Sequence, residues 1–273
     1  MDKLGDRQKM YEGYESDRRF MPLLPICARL DGKNFSKFTK GLDRPYDKQF
    51  SSLMVETTRF LVEETCACIG YTQSDEISLI YYSTDIKSQV FFDGRIQKMT
   101  SVLAAMCSIK FYTELQKLNQ EDKWSEKAKK MPVFDCRVWT VPTKEEACNV
   151  LIWRELDATK NAITMASQEY YSDKELFKKN GNEKQELLFQ KGINFNDYPN
   201  FFKRGTYIQR RRVDKKFTTE EIEKLPLKHE ARLNPDLMVN RTEVVILDLP
   251  PITKIINRQG VVFNGENPEI INE

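Results

Sequence analysis

Two aspartates are the residues in this chain best suited to do chemistry. Asp31 stands at the end of a short apolar run, Pro22 to Leu30, and Asp75 stands in Ser74-Asp75-Glu76 between two short apolar segments. If the fold brings them to one edge of a sheet, two carboxylates about 4 Å apart repel by roughly 4 kcal/mol at an effective dielectric of 20. A divalent cation between them removes that cost. Magnesium keeps several waters and takes few carboxylates, so two acids and one backbone carbonyl suffice. Gly32 has no side chain, which would let its carbonyl approach an ion. Such a pair suits phosphoryl transfer, where one ion activates a hydroxyl and a second steadies the triphosphate. Asp-Gly is also a common turn, and an acid after a strand is often a helix cap. From Asp31-Gly32 alone both readings stand; Asp75 on a neighbouring hairpin shifts the balance toward a site.

The remaining chemistry-bearing residues narrow the choice. The chain has a single histidine, His229, in a charged, loop-like stretch, so neither a His-rich metal site nor a Ser-His-Asp triad is indicated. Its six cysteines fall mostly in apolar segments and read as reduced, buried thiols; Cys66-Ala67-Cys68 lacks zinc-pair spacing. Carboxylates and cations are what is left. With 43 basic and 41 acidic residues the net charge is only +2, so any RNA surface requires the basic groups to gather locally.

The elements that must position the acids follow from periodicity. Pro22 to Leu30 reads as a buried strand. A helical period runs from about Asp47 to Cys68 through Phe50, Leu53, Met54, Thr57, Phe60 and Leu61, with Gly70 closing it. Tyr71-Thr72-Gln73 and Ile77 to Tyr82 flank Ser74-Asp75-Glu76 as a hairpin with an acidic turn. A second helix spans about Lys98 to Leu118, a fourth strand Phe134 to Val141, and a third helix about Lys144 to Tyr170. The order strand, helix, strand, strand, helix, strand predicts an α+β, ferredoxin-like sheet with two helices on one face. Residues 1–170 would form this palm-like catalytic unit and 171–273 an extension packed on it, or the whole chain one domain. The charged start, Met1 to Arg7, carries no apolar leader, and no apolar run approaches the length of a membrane span. A soluble, cytoplasmic protein is expected.

Six ordered segments resemble the tRNA-His guanylyltransferases and their relatives, which add nucleotides to RNA 5′ ends in the 3′-to-5′ direction. They are Arg29-Leu30-Asp31-Gly32-Lys33-Asn34-Phe35, Tyr71-Thr72-Gln73-Ser74-Asp75-Glu76, Phe134-Asp135-Cys136-Arg137-Val138, Trp153-Arg154-Glu155-Leu156-Asp157, Glu186-Leu187-Leu188-Phe189 and Lys203-Arg204-Gly205-Thr206. The resemblance implies a polymerase-type palm in which Asp31, the Gly32 carbonyl and Asp75 hold two Mg2+ ions. It implies that Gly32, Lys33, Asn34, Phe35, Ser36 and Ser74 line a nucleotide, with Glu76 an accessory acid. It also implies a tRNA acceptor end and GTP, ATP or other NTPs as partners, no membrane, and a homotetramer.

Cations suited to that chemistry lie close by in sequence. Lys33 and Lys37 flank the first acid, and Arg44 falls where the family carries a cation. Arg95 and Lys98, three apart at a helix start, share a face and would make a triphosphate clamp. Each is solvated surface charge on the plainer reading. Lys184, Lys203, Arg204 and the run Arg210, Arg211 and Arg212 lie among Phe201, Phe202 and Tyr207, a mixture suited to a nucleotide or an RNA end or, equally, to strand packing. Arg154, Asp157 and Asn161 share one helical face, either toward the site or in a network that orients the helix.

The chain departs from the family in one stretch. The tRNA-His-specific eukaryotic members carry His-Ile-Asn-Asn-Leu-Tyr-Asn where this chain has Thr159-Lys160-Asn161-Ala162-Ile163-Thr164-Met165. The departure points to the broader relatives that repair truncated tRNA 5′ ends against a template, with the tRNA-His-specific enzyme as the alternative. A nucleotide cyclase also uses an acid pair on this kind of sheet, but its Gly-Gly-Asp/Glu-Glu-Phe hairpin differs from Gln73-Ser74-Asp75-Glu76-Ile77. A catalytically silent RNA-binding module is the third reading.

Overall fold

The computed structural model describes residues 3–88, 90–119, 122–234 and 236–271. Helix α1 (Lys3–Ser16) buries none of its residues. Strand β1 (Ile26–Gly32) is followed by a single turn, α2 (Phe35–Phe38), and by α3 (Lys48–Thr65). The hairpin of β2 (Ile69–Gln73) and β3 (Glu76–Tyr81) leads to α4 (Ile96–Lys117), the short α5 (Asp122–Ala128) and β4 (Phe134–Thr140). After α6 (Lys144–Gln168) come three short helices, α7 (Asp173–Leu176), α8 (Gly181–Gln190) and α9 (Asn200–Lys203). The long strands β5 (Thr206–Lys216) and β6 (Met238–Leu247) enclose α10 (Thr219–Lys224) and α11 (Glu230–Leu233). Among these residues no helix is long and apolar enough to cross a membrane.

One sheet organises the chain, in the order β4-β1-β3-β2-β5-β6, with every neighbouring pair antiparallel. The first four strands have the expected ferredoxin-like arrangement. Residues beyond 170 continue it, because Thr206 to Ile208 of β5 pair with β2 and the rest of β5 runs on as a ribbon with β6.

Strand alternation separates two faces. Ile26, Ala28 and Leu30 of β1 and Ile77, Leu79 and Tyr81 of β3 meet α3 and α4 in the main core. Cys27 and Ile80, one residue out of phase, meet α6 and the C-terminal segment in a second core with Ile69, Tyr71 and Tyr207. Asp31 and Glu76 lie in the same phase as that second set and stand directly opposite each other in the β1–β3 register.

Several local expectations are corrected. Gly70 does not close the helix; it lies inside β2, where a Cβ would come within 2.6 Å of Val62 and 2.8 Å of Thr58, so it is a close-packing glycine. Cys66, in the left-handed conformation, ends α3 instead. Pro22 to Pro25 precede β1, and Asp31 belongs to the strand rather than following it. The six cysteines are free, as expected, but Cys66 is exposed and Cys68 only partly buried. His229 caps α11, its Nδ1 accepting from the Ala231 N–H at 3.1 Å.

Candidate active site

The hairpin turn Ser74-Asp75 closes the β2–β3 ladder just past Gln73 and Glu76, which pair with each other. Ser74 takes a positive φ of 54°, and its hydroxyl donates to Asp75 Oδ1 at 3.2 Å. The turn is stitched to the end of β1 by the Gly32 N–H donating to the Asp75 carbonyl at 3.1 Å. Asp31, Gly32, Asp75 and Glu76 therefore meet at one end of the sheet. Asp135 adds a further acid there, opposite Asp31 in the β1–β4 register. Sequence reading placed Asp135 in an anchor segment without singling it out; its phase in β4 was the available signal.

Electrostatics at this end favour a cation. Burial, with the charge of Asp31 adding to it, pushes the Asp75 carboxyl above its ordinary range. Burial also pushes Glu76 up, while Arg154 and Arg29 pull it back. Arg154 grips Glu76 with both arms, Nε to Oε1 at 2.5 Å and Nη2 to Oε2 at 2.9 Å, and its Nη2 reaches Asp157 at 3.2 Å. Glu76 is thus held by an arginine, whereas among the described residues neither Asp31 nor the Asp75 carboxylate has a cationic partner within ion-pair distance. No group of three His, Cys, Asp or Glu side chains converges among the described residues. Among the described residues, the oxygen donors at this end that carry no cationic partner are the two aspartates, and the Gly32 backbone lies between them.

Two recesses meet at the acidic turn. The larger, about 390 Å³, is lined by Ser36, Arg44, Tyr46, Phe50, Ser74 and Phe201 among others. The second, about 300 Å³, is lined by Gln73, Ser74, Asp75, Glu76, Arg154, Asn161, Thr164 and Met165. Gln73, Ser74 and Met165 belong to both. Tyr46 packs edge-on against Phe201 at 5.2 Å and lies 5.0 Å from Phe202, joining the loop before α3 to α9. Phe201 and Phe202 were legible as aromatics suited to a nucleotide or an RNA end, but Tyr46 was not, because it comes from a segment about 150 positions away. Asp47 anchors the same wall by accepting from the Gln49 and Phe50 N–H groups at the start of α3 and from Lys123 at 2.9 Å.

The sequence-derived residues divide by location. Lys33, Asn34, Ser36 and Arg44 lie exposed on the loop and first turn after β1, with Ser36 and Arg44 in the larger recess. Phe35 does not offer its ring to a ligand. It is 2% exposed and packs against Phe38, Phe111 and Phe134 at 4.9–5.5 Å. Gly32 has a corresponding packing reason, since a Cβ there would fall 2.3 Å from that ring. Asn161 faces the smaller recess, and Lys184 reaches its rim by donating to Thr164 Oγ1 at 2.9 Å.

Other cations lie elsewhere. Arg95 precedes α4, whose Ser108, about 20 Å further along the helix, accepts from the Phe134 N–H beside Gly32. Arg95 and Lys98 are consequently at the other end of the sheet from the acids, with Lys98 over the Phe92 ring. Lys203 donates to the Asn196 carbonyl and Arg204 to the Leu249 carbonyl, so both head groups are turned to the protein's own backbone. Arg210, Arg211 and Arg212 lie along β5 past its pairing with β2, also away from the acids.

Comparison with known proteins accords with this arrangement. Residues 7–142 match the tRNAHis guanylyltransferase family model. An uncharacterised protein of Acanthamoeba polyphaga mimivirus is 34% identical over 179 residues, 59% of this chain and 61% of that protein's length. The tRNA(His) guanylyltransferase of Schizosaccharomyces pombe is 28% identical over 261 residues, covering 86% of this chain and 95% of that one. Among solved structures, a bacterial tRNA(His) guanylyltransferase-like protein in complex with ATP superposes with a TM-score of 0.75 at 29% identity, covering 96% of this chain and 99% of its own. The chain belongs to the tRNA-His guanylyltransferase family of nucleotidyltransferases.

Proposed function

We propose that this protein is a magnesium-dependent 3′-to-5′ nucleotidyltransferase that adds nucleotides to tRNA 5′ ends, and that it repairs truncated ends against the opposing strand. The observation that carries the reading is the joining of Asp31 and Asp75 at one sheet end, where two recesses share Ser74. The reaction has two transfers. An oxygen of the RNA 5′-monophosphate attacks the α-phosphorus of an NTP, forming a phosphoanhydride and releasing pyrophosphate. The 3′-hydroxyl of an incoming NTP then attacks the activated 5′-phosphorus, forming the phosphodiester and releasing the nucleoside monophosphate while losing its proton. Two adjoining recesses suit a reaction that brings a nucleotide and an RNA end to one pair of acids.

Asp31, Asp75 and the Gly32 carbonyl would hold magnesium, which supplies charge neutralisation at phosphorus and acidifies a bound hydroxyl. Arg154 holds Glu76 in place and offsets part of the burial that raises its carboxyl, so the acidic turn does not shift when charge builds up beside it. Ser36, Arg44, Tyr46 and Phe201 receive one nucleotide; Asn161, Thr164 and Lys184 border the other. GTP, ATP and other NTPs are the proposed nucleotides. A cytoplasmic homotetramer is part of the same proposal, supported by a first helix that buries nothing within its own subunit; light scattering reads it.

Substrate choice rests on Thr159 to Met165. This stretch offers few groups for base-specific hydrogen bonds, so the acceptor end would be gripped by shape and backbone. The test supplies 5′-truncated tRNAs that differ in anticodon, with all four NTPs. Extension of several identities by the Watson–Crick partner of the opposite base is expected, together with poor non-templated G addition to full-length tRNA-His. Dependence on the His anticodon would replace this reading with the tRNA-His-specific one. A cyclic product from GTP alone would replace it with a cyclase.

A further inference from the structure

At the opposite end of the sheet from the acids lies a recess of about 470 Å³. Its walls include Cys66, Arg210, Arg211, Arg212, Thr242 and Asn264, and no carboxylate of the described residues lines it. The acidic turn is eight residues from Cys66, roughly 20–25 Å along an extended strand, so this recess is separate from both recesses at the active site.

Arg210 and Arg212, two apart on β5, project to the same face of the ribbon, and two guanidinium groups beside one recess repel each other unless something anionic compensates them. The protein itself does so only in part. Arg210 Nη1 donates to the Cys66 thiol sulfur at 3.1 Å, a weak acceptor for a guanidinium. Arg211, on the opposite face, is already held by Gln209 Oε1 at 2.9 Å, the Glu266 carbonyl at 3.0 Å and Asn267 Oδ1 at 3.3 Å, all uncharged acceptors. Gln209 is itself locked, donating to the Val261 and Val262 carbonyls at 2.8 and 3.0 Å, so the arm it holds is preorganised. Apart from its place in the β5–β6 ladder, Arg212 has no side-chain hydrogen bond or ion pair among the described residues. The acid across the ladder from Arg211 is Glu243, and it is occupied by Lys215. Burial also lowers the proton affinity of Arg211, as expected of a cation held without a counter-charge.

We infer that this recess is a second, non-catalytic phosphate site that holds the backbone of the RNA substrate at a distance from the reacting end. The inference rests on the proposed function for the identity of the anion. Arginine suits the task because its planar fork pairs two donors with a phosphate, and its contacts position without reading sequence. A site more than 20 Å from the acids engages only an RNA whose body extends beyond its terminal nucleotide.

Two measurements on the full chain test it. The first is binding of a fluorescent 5′-monophosphorylated RNA stem-loop across a salt series, comparing wild type with Arg210→Gln/Arg212→Gln. The expected result is about tenfold weaker binding and a log–log salt slope shallower by roughly one for every phosphate the variant no longer neutralises. The second is the alkylation rate of Cys66, with Cys66→Ser as the blank. The stem-loop should protect the thiol, while a single-stranded trinucleotide carrying the same 5′ end should not. An unchanged salt slope in the double variant overturns the proposal. So does protection by inorganic tripolyphosphate or GTP with none from the stem-loop, which would mark a small-anion site. Stem-loop protection in a protein that transfers no nucleotide would uphold this site and remove the proposed function, so the two failures are distinguishable.

Discussion

The two faces of the sheet are made from alternate residues of the same strands, yet they are built on different physics. One face is dry and aromatic: Phe35, Phe38, Phe50, Phe111 and Phe134 form a ring cluster beneath α3 and α4, with centroid separations of 4.9–6.2 Å. The other carries ionisable side chains in buried or half-buried positions. Asp31, Glu76 and Arg154 sit at its end, and Glu155, 4% exposed, lies further in with Tyr207. Burying charge costs free energy unless each group is paired. The polar face is therefore where stability has been exchanged for chemistry, and the aromatic face supplies the rigidity that makes the exchange tolerable. Gly32 is the hinge of the comparison: its backbone joins the acids, and its missing side chain admits the Phe35 ring.

The largest effect should come from separating the two roles. Asp31→Ala and Asp75→Ala should each reduce nucleotide transfer by at least about a thousandfold, since several kcal/mol of charge stabilisation are lost. Their melting temperatures should not fall, because each removes a carboxylate without a cationic partner. Pyrophosphate release and thermal melts measure the two outcomes. Near-normal turnover in either variant would show that the polar face is structural and that the acid pair is not the site.

Phe111→Ala should do the reverse. Phe111 is fully buried and touches four other rings, so its truncation should cost about 3–5 kcal/mol of stability. The folded fraction should keep its turnover number. Chemical denaturation gives the first quantity and single-turnover rates the second. A loss of turnover without a loss of stability would mean that the two faces are not separable in this way.

How much of this division was legible in sequence depends on range. The acids were visible because each stands where an apolar strand ends, and because Ser74-Asp75 fits between strands of the right phase. The βαββαβ order was visible from period alone. Phe35 was misplaced because the residues before it are polar and loop-like, whereas one turn of helix swings the ring inward. Gly70 was misplaced because a glycine after a helical run resembles a stop signal, and only the partner helix reveals that it is there for close packing. The cations were hardest. Lys203, Arg204 and Arg210 have the same character in sequence, but whether each faces solvent, a carbonyl or a thiol is decided by segments distant along the chain.

Arg154 sharpens the comparison at smaller magnitude. Its side chain is 12% exposed and that of Glu76 16%, so breaking the pair leaves a largely buried carboxylate without its main partner. Arg154→Ala should destabilise the fold by about 3 kcal/mol, near the low end for a broken buried pair. Adding Glu76→Gln should recover part of that loss, because the stranded charge is removed. If the double variant is no more stable than Arg154→Ala, Arg154 acts by packing on Trp153, whose ring centroid lies 4.5 Å from the guanidinium carbon.

The smallest effect concerns Glu155 and is read as a pH dependence. Its Oε2 accepts from the Tyr207 hydroxyl at 2.9 Å and its Oε1 from the Ile252 N–H at 3.0 Å, tying α6 to β5 and to the C-terminal segment. Those two bonds and the charge of Arg204 lower the carboxyl's proton affinity, but burial outweighs them and leaves it raised. The native state therefore binds this proton more tightly than the unfolded chain does. Stability from Glu155 is fully present below the unfolded value, about 4.3, and is lost as pH rises through the higher folded value. Other carboxyls titrate as well, and Asp47 and Glu114, which are lowered, act in the opposite sense. The informative quantity is thus the difference between wild type and Glu155→Gln at each pH. The amide can still accept from Tyr207, but it carries no charge to desolvate and turns an N–H toward that of Ile252. Wild type should be the more stable at low pH, and its advantage should shrink as pH rises past the folded value. A stability difference that stays constant with pH would mean that Glu155 is held as a carboxylate throughout, with its hydrogen bonds and Arg204 outweighing burial.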